Sequence, residues 1–174
     1  MMQLTVHPSA ELLDAGLRAV GQLRVTVVGR SMSPLLRPGD HVVLEPVAVH
    51  QLRRGDIITV WRGNALLTHR VINVEPHRWQ TKGDHCRTAD PPMSAMSIVG
   101  RVAAIERAKY HIDLRCRRWQ IIGFVVGWLG WYEAQCFQPN YTYVRRILGH
   151  CLHVAQQWLI TFALHTAKKE IAVG

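Results

Sequence analysis

The stretch Val25-Thr26-Val27-Val28-Gly29-Arg30-Ser31-Met32-Ser33-Pro34-Leu35-Leu36-Arg37-Pro38-Gly39-Asp40 decides how this chain is read. It opens on a β-branched run, which favours extended backbone. It then passes into turns built on Pro34 and on Pro38-Gly39-Asp40, residues that end a strand. A serine at such a junction can present its hydroxyl at the edge of a sheet. Taken alone, Ser31 is as well explained as a solvated turn residue, so its neighbours along the chain have to decide.

Outward from this stretch the same texture repeats. Short β-rich runs occur at Val25–Val28, His41–Val47, Asp56–Arg62, Leu66–Val74, Trp79–Lys82 and Ser97–Ile105. Turn residues separate them: Arg54-Gly55-Asp56, Gly63-Asn64, Glu75-Pro76-His77 and Pro91-Pro92. Runs of this length at this spacing predict a mainly β, antiparallel, barrel-like domain over residues 25–107, with a hairpin at Gly63-Asn64. Residues 1–24 form a lead-in. Ser9 as N-cap and Gly21 as stop predict a short amphipathic helix over about 9–20. Residues 108–174 lack the strand texture and read as a helical C-terminal appendage. No apolar run of secretory-leader length occurs in residues 1–24.

With 174 residues, 48% hydrophobic and 19% charged, the chain can bury one core, and intrinsic disorder is excluded. The four cysteines, Cys86, Cys116, Cys136 and Cys151, form no C-x-x-C, which argues against a structural zinc or a disulfide framework. The net charge of +9 would suggest nucleic acid. Its location argues otherwise. Ten basic against four acidic side chains lie in residues 101–174, and the preceding hundred residues carry only a small excess. The expected partners therefore do not include nucleic acid.

Beyond Ser31 the order of short motifs is informative. Arg54-Gly55-Asp56-Ile57-Ile58 is followed by Leu67-Thr68-His69-Arg70-Val71-Ile72, then Thr81-Lys82-Gly83-Asp84, then Asp90, then Ile98-Val99-Gly100-Arg101-Val102. This succession resembles the catalytic domain of the type I signal peptidases and their LexA-type relatives, in particular the Ser-His branch. It covers roughly residues 25–105. The resemblance implies a LexA/signal-peptidase-like β barrel and a serine endopeptidase acting on a signal-like or leader-like precursor, with no metal and no cofactor.

The chemistry can be argued from the residues themselves. A serine hydroxyl needs a base to become nucleophilic, and imidazole is the side chain that ordinarily titrates near neutrality. His69 stands where the Ser-Lys enzymes and LexA-type repressors carry lysine, and Lys82 is the only lysine nearby. A histidine base in turn needs an acceptor to fix its tautomer. Two acids match the family pattern: Asp90 as orienter, and Asp84 of Gly83-Asp84 as a supporting acid. The backbone N–H of Ser31 is the natural first oxyanion donor. Many relatives place a serine two positions before the nucleophile; this chain has Gly29 there. Arg30 resembles the repressor form of the motif. Arg70, next to His69, is expected on the opposite strand face in a salt bridge. By resemblance, substrate is a peptide or protein precursor bound as an extended strand.

The tail bears on location. Trp119–Tyr132 is 14 residues without charge and contains Gly123 and Gly127 in a G-x-x-x-G spacing. Ile147–Ala167 is 21 residues without Lys, Arg, Asp or Glu. On a helix, His150, His153, Gln157, Thr161 and His165 would form one polar stripe opposite a wide apolar face. Residues 115–169 are thus expected to meet a membrane surface or a partner protein, and the protein to be membrane-associated, with a cytoplasmic location as the alternative. If both segments spanned, the flanking arginines and lysines would place the β domain in the cytoplasm by the positive-inside rule. Peripheral attachment avoids that conflict with secretory processing. Two other readings stand beside the peptidase: a catalytically silent family member that binds peptides, and a LexA-type self-cleaving regulator. For the latter, the residues before the β domain leave too little room for a helix-turn-helix module.

Overall fold

Alternate burial along the strands shows which faces the sequence turns inward. In β2 (His41–Glu45) Val42 and Leu44 are buried while His41, Val43 and Glu45 are half-buried. In β3 (Ile57–Arg62) Ile57 to Val60 are all buried, as a strand covered on both faces requires. The computed structural model describes residues 8–63, 65–94, 97–108, 110–137 and 143–173. The remaining elements are α1 (Pro8–Val20), β1 (Leu23–Thr26), β4 (Ala65–Glu75), β5 (Arg78–Lys82), β6 (Ile98–Arg107), β7 (Tyr110–Asp113), α2 (Arg117–Cys136) and α3 (Tyr143–Val173).

All strand pairs are antiparallel, in the order β1-β2-β6-β3-β4-β5, with β7 added to β6. The expected antiparallel β structure is therefore present as one sheet, whose ladder is an open path from β1 to β5. Arg62 pairs with Ala65 where β3 turns into β4, at the expected hairpin; Asn64 itself lies outside the described residues. The sheet also continues past residue 107, because β7 folds back on β6 with Ala104 opposite Asp113.

The helices share the core of the sheet. One cluster joins Leu35, Leu36, Val42, Leu44 and Ile105 to Trp119 and Val126 of α2 and to Ile160, Ala163 and Leu164 of α3. Leu17 of α1 is 1% exposed in the same cluster. The Ser9 cap expected from sequence falls outside the described side chains.

The glycine pair in α2 has a specific use. A Cβ on Gly127 would come within 2.9 Å of the Gly55 nitrogen, and one on Gly123 within 3.0 Å of the Gly55 carbonyl oxygen. The Arg54-Gly55 turn thus sits directly on the helix backbone, and the Arg54 guanidinium lies 3.7 Å over the Trp128 ring.

Along its first half α3 turns polar side chains inward, whereas Ile160, Ala163 and Leu164 bury an apolar face further on. Gln156 is buried and His153 and Gln157 are half-buried, against α2 and the β domain. Trp158 and Phe162 are 73% and 65% exposed, with Ile147, Leu148 and Val154 also exposed on the same helix. Of the polar stripe expected from sequence, His153 and Gln157 face inward, His150 reaches Arg87, and Thr161 and His165 stay exposed. The reason is electrostatic: buried polar groups beneath α3 require partners, and the stripe supplies them. Val144–Ala167 is long and apolar enough to cross a membrane, and only 28% of that window is buried inside the protein. α2 adds exposed Ile121, Phe124 and Tyr132.

Candidate active site

Ser31 opens the turn that follows β1. The Ser33 N–H donates to the Arg30 carbonyl and the Leu36 N–H to that of Met32, so the turn is wound tightly. Met32, Leu35 and Leu36 are buried and anchor it to the core, while Ser31 stays half-buried and reachable. His69 lies on β4 opposite Ile58 of β3 and is 5% exposed. Asp90 follows β5, its N–H donating to the Thr81 carbonyl at 2.8 Å.

The fold brings these three side chains, separated by as many as fifty-nine positions, into one line. His69 Nε2 lies 2.9 Å from Ser31 Oγ, and His69 Nδ1 lies 2.6 Å from Asp90 Oδ2. Asp90 has further partners that sequence reasoning had not named. Thr81 Oγ1 donates to Asp90 Oδ2 at 2.7 Å, and Arg62 Nη1 donates to Oδ1 at 3.0 Å. Burial pushes the Asp90 carboxyl up, but the bonds from His69 and Thr81 and the Arg62 charge outweigh it and hold the group below the usual carboxylate range.

This fixes the tautomer by elimination. An ionised carboxylate can only accept, so the bond at Nδ1 requires Nδ1–H, and a neutral imidazole then has its lone pair at Nε2. That lone pair faces Ser31 Oγ, which makes Ser31 the donor. The arrangement is set to take a proton from the serine.

Asp84 is elsewhere. Its carboxylate accepts two bonds from Arg70, Nε to Oδ1 at 2.8 Å and Nη2 to Oδ2 at 2.7 Å, with side chains 4% and 1% exposed. Arg70 also donates to the Gly55 carbonyl at 2.9 Å. Asp84 thus reaches the neighbour of His69 along β4 and braces the strand from its other face. Its backbone N–H contacts Met32 Sδ at 3.4 Å, which ties it to the serine turn as well.

Gly83 is a further site residue. A Cβ there would lie 2.6 Å from the Ser31 carbonyl oxygen and 3.0 Å from His69 Nε2, so only glycine leaves the serine and histidine their room. The Cys86 thiol would be 2.9 Å from the same Cβ. Burial pushes the Cys86 thiol up, away from the thiolate that a second nucleophile would need. No cluster of metal-binding side chains occurs among the described residues.

No family model matches the chain. Over 48 residues it is 44% identical to proteins named inactive signal peptidase IA from Staphylococcus aureus, in strains Mu50, COL and MRSA252 among others. That segment is 26% of this chain and 28% of each relative, so the match spans little more than a quarter of their length. The likeness is to the signal peptidases, it is short and partial, and the relatives carry the word inactive.

Proposed function

We propose that this chain is a serine endopeptidase that cleaves a precursor or a leader-like or signal-like peptide. One observation carries the reading: His69 is hydrogen-bonded at once to Ser31 and to Asp90, at 2.9 and 2.6 Å, in the tautomer that a base requires. Ser31 Oγ attacks the scissile carbonyl as His69 Nε2 takes its proton. Asp90 steadies the imidazolium, and the Ser31 N–H faces the developing oxyanion. His69 then protonates the leaving amine, and a water activated by the same imidazole hydrolyses the acyl-enzyme. Asp84 acts through Arg70 to hold β4. The substrate lies extended along a sheet edge. Comparing wild type with Ser31→Ala and His69→Ala on a candidate precursor tests this; equal product from all three would sink it.

The second reading is a catalytically silent, peptide-binding member. The relatives' name favours it, since the proteins matched are called inactive. It predicts precursor binding that survives Ser31→Ala, with no product from wild type.

In either case we propose attachment to a membrane through the outward faces of α2 and α3. Large exposed apolar side chains, Trp158, Phe162, Leu148 and Phe124, support this, as does the span-length α3. In water such a face is unfavourable and marks an interaction surface.

A further inference from the structure

We infer that the α2–α3 helices are a working part of the active site, in which Glu133, Gln156 and Gln157 are positioning residues. The inference rests on the Ser31–His69–Asp90 reading and extends it to a part of the chain where no motif pointed.

The link is the segment Thr81–His85, which touches every member of the triad. Thr81 donates to the Asp90 carboxylate, Gly83 lies against His69 and the Ser31 carbonyl, and the His85 N–H donates to that carbonyl at 2.8 Å. Whatever fixes this segment therefore fixes the spacing of serine, histidine and aspartate together. Within the β domain it is held through Thr81, the Arg70–Asp84 pair, the Asp84 N–H on Met32 Sδ and the pairing of Lys82 with Arg70. Further ties come from the helices.

Lys82 and Glu133 are 1% and 0% exposed, and Lys82 Nζ lies 2.8 Å from Glu133 Oε2, a charge contact off the line of a hydrogen bond. Glu133 Oε1 is bonded by His153 Nδ1 of α3 at 2.8 Å. A buried charge without its partner is strongly destabilising, so the contact holds α2 and β5 together at this point. Two residues on, the Asp84 carbonyl accepts from Gln156 Nε2 at 3.2 Å and also from Gln157 Nε2. Three side chains from two helices thus grip positions 82 and 84, on either side of Gly83. Their cost in buried polar surface would be hard to explain for helices serving only as an anchor.

The experiment uses the full chain with Gln156→Met and Gln157→Met, singly and together, which keep side-chain length and remove the donors, alongside Glu133→Gln. Two readouts are taken on variants whose circular dichroism matches wild type. The first is the Nδ1 proton resonance of His69, which reports the bond to Asp90 without any turnover. The second is the split of kcat from KM on a cleaved precursor. We expect the double glutamine variant to shift the His69 resonance and to lower kcat tenfold or more with KM within twofold. Folded variants that keep both the wild-type resonance and the wild-type kcat would overturn the inference. Loss of product in wild type would fail the peptidase reading instead, and the resonance would still decide this one.

Discussion

Gly55 and Gly127 meet backbone to backbone. A Cβ on Gly127 would stand 3.1 Å from the Gly55 Cα and 2.9 Å from its nitrogen. This contact seats α2 on the turn that leads into β3, and it turns the G-x-x-x-G spacing of α2 from a membrane-helix signature into a notch for a loop. Gly55 carries φ +100, and a Cβ there would lie 2.4 Å from the Gly123 carbonyl carbon. Gly55→Ala should therefore lose about 3 kcal/mol, from overpacking and backbone strain combined. Gly63→Ala, at φ +61 with open space around it, should lose only about 1 kcal/mol. Urea denaturation of the two variants checks the difference.

Removing one partner of the Arg70–Asp84 pair leaves a buried charge unmatched. Arg70→Met should cost about 4 kcal/mol, and Arg70→Met combined with Asp84→Leu should cost less than Arg70→Met alone. Equal losses in the single and double variants would show that the ion pair is not what braces β4.

Asp90→Asn keeps the shape of the triad but can present an amide N–H to His69, favouring the wrong tautomer. A drop of about 10³ to 10⁴ in kcat is expected with the fold intact. Thr81→Val removes only one of the bonds to the same carboxylate oxygen and should fall well short of that. A precursor-cleavage assay on both variants separates the contributions.

The lowered Asp90 carboxyl has a consequence for acid stability. A carboxylate whose folded value lies below its unfolded one contributes stability that is fully present above the ordinary aspartate range. That contribution is lost as pH falls from this range through the lowered folded value. Wild type should accordingly lose stability faster than Asp90→Asn over the acid limb, below about pH 5. Parallel denaturation curves down that limb would remove the carboxylate's contribution from the account.

The outward apolar face predicts binding to lipid. Trp158→Glu with Phe162→Glu should abolish co-flotation with vesicles containing anionic lipid while leaving the circular dichroism unchanged. Retained flotation would move the attachment elsewhere, and loss of a co-purifying protein in its place would indicate a protein partner.

What the sequence made readable was whatever depends on local pattern. The strands were legible because β-branched runs between Gly and Pro turns are short-range signals, and their observed limits differ by only a few residues. Ser31 and His69 were candidates because each sits in a short motif, and Asp90 because of its place six positions after Asp84. The parts that could not be read all depend on distant partners. The uncharged stretch ends at Tyr132, yet α2 runs on to Cys136, with Glu133 buried against Lys82 of β5. The polar stripe containing His153 and Gln157 is visible in the sequence, but not that Glu133 and the Asp84 carbonyl lie beneath it. Arg62 lies in no motif and Thr81 opens Thr81-Lys82-Gly83-Asp84 with no role of its own to read, and only the closing of β5 and Asp90 onto β4 shows that they share a carboxylate with His69.

The polar side chains that α3 turns inward set a practical limit on how this protein can be divided or solubilised. Cutting the chain after β7 would strip buried partners from Lys82 and Asp84 and remove Trp119, Val126, Ile160 and Leu164 from the core, so a shortened β domain is an unpromising reagent. The serviceable route to a water-soluble form is to recolour the outside. Polar replacements at Leu148, Val154, Trp158 and Phe162 would leave His153, Gln156 and Gln157 untouched, and the inner stripe would go on holding the sheet.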